Sequence, residues 1–243
     1  MWKGKTVSVV FPTYNERASI VQAIEDSFAT GLVDEVVVVN NNAITGTAEL
    51  VAATRARQVF ESRQGYGWAL RRGLEEATGD LLILSEPDGT FSSSDYLKLL
   101  VYHDDGHEVV LGTRTTKGFI WDGANMGFLL KTGNVLLAKV VEVLFLSRCQ
   151  LTDVGCTLRL LSRPAYERIR SCFRVGGSHF GLEMTVLSLH QGLQYCEVPV
   201  NYLPRVGTSS VTGSLPRTVL LALQMGAYLV RYRLGSFFRA GGT

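Results

Sequence analysis

The sequence predicts an α/β fold: a single α/β/α domain with a mostly parallel central sheet, followed by amphipathic helices at the C-terminus. Two observations carry this expectation. Strand-like runs alternate with helical patterns of about 12 residues through residues 1–90, the pattern of βαβ units. Near the end of that series, Leu81-Leu82-Ile83-Leu84 reads as a buried strand that stops at an acidic turn, Ser85-Glu86-Pro87-Asp88-Gly89. Ligands in open α/β sheets gather at the carboxyl ends of strands, where these two carboxylates fall. Paired carboxylates suit a divalent cation, which takes hard oxygen ligands, although a helix-capping Asp and a surface Glu would read the same way in isolation.

Composition narrows the choice. A chain of 243 residues has length for one large domain or two small ones, and a net charge of +2 gives no reason to expect nucleic acid as a partner. Cys149, Cys156, Cys172 and Cys196 lack C-x-x-C spacing, and the N-terminus shows no signal-peptide pattern. A cytoplasmic protein with reduced thiols filling the core is the expectation. The longest apolar run, Val219 to Val230, is shorter than the roughly 20 residues of a spanning helix and includes Gln224, so no transmembrane anchor is expected.

In chain order, Thr6 to Phe11 is a β-branched strand closed by Pro12, and Asn15-Glu16 open a helix that Gly31 ends. Glu35 to Val39 is a second buried strand, closed by Asn40-Asn41-Asn42. A helix is expected from Ala48 to Arg57, a short strand from Gln58 to Glu61 and a helix from Trp68 to Ala77. Beyond the acidic turn come a helix from Asp95 to Tyr102 and a strand from Glu108 to Gly112 that delivers Thr113-Arg114 to its carboxyl end. Asn125 to Leu146 is long and apolar, wider than one core-facing stripe, which leaves room for a dimer or membrane-surface contact. A strand over Leu158 to Leu161, helices over Pro164 to Ile169 and Phe180 to His190, and a strand over Leu193 to Val200 follow. Tyr202 to Gly213 is a polar loop with Arg205, Ser209 and Ser210, and Leu215 to Arg239 is amphipathic with Arg231, Arg233 and Arg239 at its end.

Three motifs are set aside. Gly65-x-Gly67 lacks the third glycine of a dinucleotide fingerprint, because Leu70 stands there, and it lies third in the βα series; its glycines either bring a loop close to a ligand or make a turn. His103 and His107 have helical spacing for zinc, but Asp104-Asp105-Gly106 between them reads as a loop. His179 and Glu183, one helical turn apart, are as well explained by a cap and a surface pair as by a site.

Several motifs in order carry a resemblance from about Val7 to Val211. They are Phe11-Pro12-Thr13-Tyr14-Asn15-Glu16, the Asn40 to Thr47 loop, Gly65-x-Gly67-x-Ala69-x-Arg71-x-Gly73 running to Gly79-Asp80, and Glu86-Pro87-Asp88-Gly89. Gly112-Thr113-Arg114, Asp153 to Arg159, and Glu197-Val198-Pro199-Val200 with Arg205-x-Gly207-x-Ser209 complete the set. Together they resemble glycosyltransferase family 2, with the Rossmann-like GT-A fold, in the dolichyl-phosphate mannose synthase-like branch that glycosylates polyprenyl phosphates. The resemblance implies a GT-A domain over residues 1–213, with a nucleotide-binding half at 1–90 and an acceptor half at 91–213, and a helical tail at 214–243.

The same resemblance implies site roles. Pro12, Tyr14, Glu16, Asn40, Asn42, Gly65 and Pro87 would meet the nucleotide of a UDP- or GDP-linked sugar donor. Glu86 and Asp88 would hold Mg²⁺ or Mn²⁺ against the donor diphosphate, and Arg114 and Arg205 would add phosphate contacts. Asp153 is the candidate general base for a hydroxyl acceptor; with a phosphate acceptor, already anionic, it would only orient. Four departures bear on donor identity: Asn40-Asn41-Asn42 in place of Asp-Asp, Glu86 in place of Asp, Thr157-Leu158-Arg159 in place of Gly-Phe-Arg, and Ser210 where a lysine is usual.

The leading expectation is an inverting, metal-dependent glycosyltransferase acting on a polyprenyl phosphate, peripheral on the cytoplasmic face of a membrane. A transferase to a glycan or small-molecule hydroxyl and a degenerate nucleotide-sugar binding module are the alternatives.

Overall fold

The computed structural model describes residues 1–147, 149–207 and 215–240. Seven strands form one sheet in the order β3-β2-β1-β4-β6-β5-β7. They are β1 (Val7–Thr13), β2 (Glu35–Asn40), β3 (Arg57–Phe60), β4 (Leu81–Leu84), β5 (Val109–Thr113), β6 (Arg159–Ser162) and β7 (Tyr195–Pro199). The first three βα crossovers are α1 (Ile20–Ala29), α2 (Thr47–Ala52) and α3 (Tyr66–Glu76). The rest of the helical layer comprises α4 (Tyr96–Asp104), α5 (Phe128–Phe145), α6 (Arg163–Ile169), α7 (Phe180–His190) and α8 (Leu215–Ala240).

The valine and leucine runs explain the sheet. All seven residues of β1 and all four of β4 are buried, as expected of central parallel strands covered on both faces. β1 has β2 on one side and β4 on the other, so the direction of winding reverses there. A crevice opens at such a switch point, beyond the carboxyl ends of the strands. The β1–β4 register pairs Val10 with Leu84, and Ser85 N donates to Val10 O at 3.2 Å. The turn after β1 therefore lies beside the acidic turn after β4.

β6 runs antiparallel to both β4 and β5, the one reversal in a sheet whose other pairings are parallel. A reversed strand delivers the residues before it, not those after it, to the rim where its neighbours end. Residues 153–158 thus reach the same crevice as Glu86 and Arg114.

Several expected boundaries shift. α2 ends at Ala52, because Arg57 pairs with Val37 and opens β3, its guanidinium held 3.0 Å from both Glu35 and Glu76. α3 starts two residues early, at Tyr66. Gly65, at φ 150°, leaves no room for a side chain: a Cβ would stand 2.4 Å from Gly176 O. The glycine pair thus admits the backbone of residues 176–177, whose Gly176 O accepts from Trp68 N at 3.1 Å. Of the cysteines only Cys156 is fully buried; the other three are partly exposed, and all are free thiols.

The C-terminal helix packs onto the domain. Met225 and Leu229 of α8 are buried, and the Tyr232 ring lies 5.8 Å from Phe145 of α5 and 5.7 Å from His190 at the end of α7. Among the described residues no helix is long and apolar enough to cross a membrane. Ser209, Ser210 and the side chain of Arg239, singled out in the sequence, lie outside the described residues.

At Gly73 α3 packs directly on the sheet: a Cβ there would meet Val10 Cγ1 at 2.2 Å and Val39 Cγ2 at 2.9 Å. Gly73→Ala is expected to lower stability by about 1–3 kcal/mol, the usual cost of overpacking. Gly226→Ala, with nothing within 4 Å of the added Cβ, should be neutral or stabilising. Urea midpoints of the two variants check the contrast, and an unchanged midpoint for Gly73→Ala would contradict the packing.

Candidate active site

A cavity of about 1400 Å³ lies over the carboxyl rim of the sheet. Pro12, Tyr14 and Glu16 reach it from the end of β1, Glu86, Pro87 and Asp88 from the turn after β4, Arg114 from the end of β5, and Arg205 from the segment after β7. Leu130, Leu136, Leu137 and Val140 of α5 and Leu221, Ala222 and Met225 of α8 also line it, with Asn134, Arg217 and Thr218 of the same helices.

The acidic turn is tightly held. Glu86 Oε1 accepts from Thr157 Oγ1 at 2.6 Å and from the Tyr66 hydroxyl at 3.2 Å, and that hydroxyl is 2.7 Å from Thr157 Oγ1. Asp88 Oδ1 accepts from Thr90 N at 2.9 Å and from Thr90 Oγ1 at 2.5 Å. Arg205 Nη2 stands 2.9 Å from Glu86 Oε2 and 2.5 Å from Asp88 Oδ2, with Glu16 Oε1 4.0 Å from Nη1. Asp88 Oδ2 nevertheless receives no aligned hydrogen bond from the described residues, so only the nearby charge answers it.

One guanidinium facing three carboxylates leaves negative charge unbalanced. Burial, and then the charge of Glu86, raise the Asp88 carboxyl to about 7. Burial also penalises ionised Glu86, but the hydrogen bond from Asp88 and the Arg205 charge outweigh it and hold Glu86 below the ordinary value. The two carboxyls are thus pushed apart, with ionisation opposed at Asp88 and favoured at Glu86.

Arg114 is held differently. Its Nε and Nη2 donate to Asp153 Oδ2 and Oδ1 at 2.7 and 2.9 Å, and its backbone N donates to Oδ2 at 3.1 Å. Burial alone would lower the Arg114 pKa, but the charge of Asp153 and its hydrogen bonds raise it well above the ordinary value. Asp153, the residue expected as general base, is fully buried, does not line the cavity and has both carboxylate oxygens engaged. A base needs a free lone pair within reach of the substrate, whereas both Asp153 oxygens here accept from Arg114 and the backbone.

A family model described as Glycosyl transferase family 2 matches residues 8–169, more than half of the chain. The chain belongs to that family. An uncharacterized glycosyltransferase of Mycobacterium tuberculosis (strain ATCC 25618 / H37Rv) is 29% identical over 221 residues, 90% of this chain and 96% of that protein. A dolichyl-phosphate hexose transferase of Haloferax volcanii is 27% identical over 207 residues, 84% of this chain and 86% of that one. The crystal structure of Mycobacterium tuberculosis glucosyl-3-phosphoglycerate synthase with Mn²⁺, UDP-glucose and phosphoglyceric acid superposes with a TM-score of 0.70 at 21% identity. That likeness, over 96% of this chain and 80% of the other, bears on the fold, which is GT-A.

In this glycosyltransferase the asparagine loop is arranged otherwise than expected. Asn41 lines the cavity, and Asn40 and Asn42 do not. Asn40 Oδ1 accepts from Ala43 N at 2.9 Å, while Asn42, at φ 58°, donates to Gln64 Oε1 at 2.9 Å. Asn41 Nδ2 donates to Glu61 O and Arg63 O, and its Oδ1 accepts from Gly65 N. The middle asparagine joins the ends of β2 and β3, and its neighbours tie the loop. Gly65 is also outside the lining, although Gln64 and Tyr66 belong to it.

Tyr66 and Thr157, which brace Glu86, were not singled out by sequence. Thr157 stood inside a recognised motif, but its meeting with Glu86 depends on the reversal of β6. Glu183 is buried rather than on the surface: its carboxylate accepts from Arg174 N and Val175 N, both at 2.9 Å, and neither it nor His179 lines the cavity.

The residues fit a divalent cation. Glu86 and Asp88 offer hard oxygens, one without a directed donor, in surplus negative charge. Among the described residues no group of three or more His, Cys, Asp or Glu is placed to hold a metal, so further ligands would come from a bound diphosphate and water. Because a cation at Asp88 competes with its proton, Mn²⁺ affinity should rise by up to about tenfold per pH unit below 7 and level off above it. Electron paramagnetic resonance of free Mn²⁺ at pH 6, 7 and 8 would test this, with Asp88→Asn as the variant expected to lose binding. A flat profile would rule out proton competition at Asp88.

Proposed function

We propose that this glycosyltransferase transfers a sugar, with inversion, from a nucleoside-diphosphate sugar to a polyprenyl phosphate. The observation that carries the reading is the mixed lining of the cavity. Glu86, Asp88, Arg114 and Arg205 line it together with Leu130, Leu137 and Val140 of α5 and Leu221 and Met225 of α8. An acceptor with an anionic head and a long hydrocarbon matches both kinds of lining. The resemblance to a dolichyl-phosphate hexose transferase supports the same acceptor class.

In this reading Pro12, Tyr14 and Glu16 meet the nucleotide, together with Asn41 and Pro87. Asn40, Asn42 and Gly65 act behind them, shaping the loop. Glu86 and Asp88 would hold Mg²⁺ or Mn²⁺, which would supply Lewis-acid stabilisation of the diphosphate charge. Structural neighbours bind Mn²⁺ or Mg²⁺ with UDP, which makes a UDP-sugar the first donor to test. Arg205 turns from the carboxylates to a phosphate oxygen, and Arg114, fixed by Asp153, receives the acceptor phosphate.

The acceptor oxygen then attacks the sugar C1 from the face opposite the diphosphate. The new C1–O bond forms as the C1–O bond to the diphosphate breaks, and the bonding pair leaves with the nucleoside diphosphate. A phosphate acceptor brings its negative charge with it at neutral pH, so no base is required. The burial and ion pairing of Asp153 favour this over a hydroxyl acceptor. Exposed apolar side chains on the same two helices, Phe128 and Val143 of α5 and Leu220 and Leu223 of α8, with Leu146 just past α5, suit peripheral contact with the membrane that holds such a lipid.

Incubation with radiolabelled UDP-glucose, undecaprenyl phosphate and Mn²⁺ should move label into the organic phase. EDTA should abolish transfer, and Asp88→Asn should lower kcat by at least about a hundredfold. Transfer to soluble hydroxyl acceptors alone, or turnover unaffected by EDTA, would overturn the proposal. GDP-linked sugars are the second donor set under the same readout.

A further inference from the structure

We infer that Glu197, which lies outside the cavity, is the positioning residue through which β7 holds Arg114 at its place in the site. The inference rests on the proposed role of Arg114 toward a phosphate, but the positioning itself can be read without any substrate.

Four interactions converge on this carboxylate. Glu197 Oε2 accepts from Thr152 N at 2.7 Å and from Asp153 N at 3.3 Å, and Oε1 accepts from Thr152 N at 3.0 Å and from the Thr152 hydroxyl. A carboxylate only accepts, so the Thr152 hydroxyl must spend its proton on Glu197. Its oxygen is then left to accept from the hydroxyls of Thr113, at 2.8 Å, and Thr115, at 2.6 Å. Those two threonines flank Arg114. The arginine is therefore gripped twice: by Asp153 at its side chain, and by Thr113 and Thr115 on either side of its backbone. Both grips end on Glu197.

The placement is specific to the sheet. β5 and β7 are parallel neighbours with Leu111 opposite Glu197, two residues before Thr113. Glu197 thus stands beside the end of the strand that carries Arg114. Burial pushes its carboxyl above the ordinary value, and the donors from Thr152 and Asp153 oppose that shift. Glu197→Gln would turn an N–H toward donors on the loop, leaving opposed donors in a half-buried site.

The test uses the full chain and two readouts. Phenylglyoxal modification followed by mass spectrometry reports how firmly each guanidinium is held. Arg163, bound to the carbonyls of Ala77 and Gly79 far from this network, serves as the internal reference. Arg114 modification should quicken by about tenfold in Glu197→Gln, the usual scale for losing an outer partner, and less in Thr152→Val, with Arg163 unchanged. Thr152→Val keeps the backbone donor and serves if Glu197→Gln does not fold.

Binding of farnesyl phosphate, read by calorimetry, should weaken about tenfold in Glu197→Gln and in Arg114→Lys, while the double variant should be no weaker than Arg114→Lys alone. Unchanged Arg114 reactivity with a lowered urea midpoint, or additive losses in the double variant, would overturn the inference. Faster Arg114 modification in a protein whose wild type ignores farnesyl phosphate would sink the acceptor proposal and leave the positioning role standing.

Discussion

The site depends on negative charge gathered where two adjacent parallel strands end. Glu16 after β1 and Glu86 and Asp88 after β4 converge because the strands are in register, and Arg205 faces all three. A buried carboxylate costs free energy unless it is paired or protonated. Each answer to that cost is visible around the turn: the Thr90 and Thr157 hydroxyls, the Tyr66 phenol, the Arg205 guanidinium, and the raised Asp88 carboxyl. What these groups leave unbalanced is the attraction for a divalent cation and the phosphates it would bring.

The two arginines of the site answer different needs. Arg205 makes charge contacts from a segment beyond the sheet, and a cation on Glu86 and Asp88 would compete with it for the same oxygens. Arg114 is locked in a bidentate pair on a strand end. Removing one partner of such a buried pair typically costs about 3–5 kcal/mol, because the other charge is stranded. The first arrangement suits a residue that changes partners during a reaction cycle. The second suits one that presents a fixed charge to an incoming anion.

Architecture brings charged and apolar side chains to one cavity. β6 runs against its neighbours and so brings the loop of Asp153 to Thr157 to the rim, where Thr157 meets Glu86 and Asp153 meets Arg114. α5 precedes that loop, and α8 returns to pack beside it, with Met225 and Leu229 buried. Side chains of both helices therefore line the same cavity as Arg114 and Arg205.

Local pattern alone determined the strands, most helices and the family. Aliphatic runs such as Leu81 to Leu84 and the acidic turn behind them keep their meaning wherever they are placed, because burial and strand propensity act over a few residues. Boundaries such as the end of α2 were less legible, since pairing of Arg57 with Val37 overrides helix preference. Which asparagine faces the cavity, why Gly65 must be glycine, the reversal of β6, and the burial of Asp153 against Arg114 were decided only in three dimensions. Each depends on a partner distant in sequence: Glu61 and Arg63 for Asn41, Gly176 for Gly65, Leu84 for Arg159, Arg114 for Asp153. A linear pattern records residue types, whereas charge compensation and close approach are properties of pairs that folding creates.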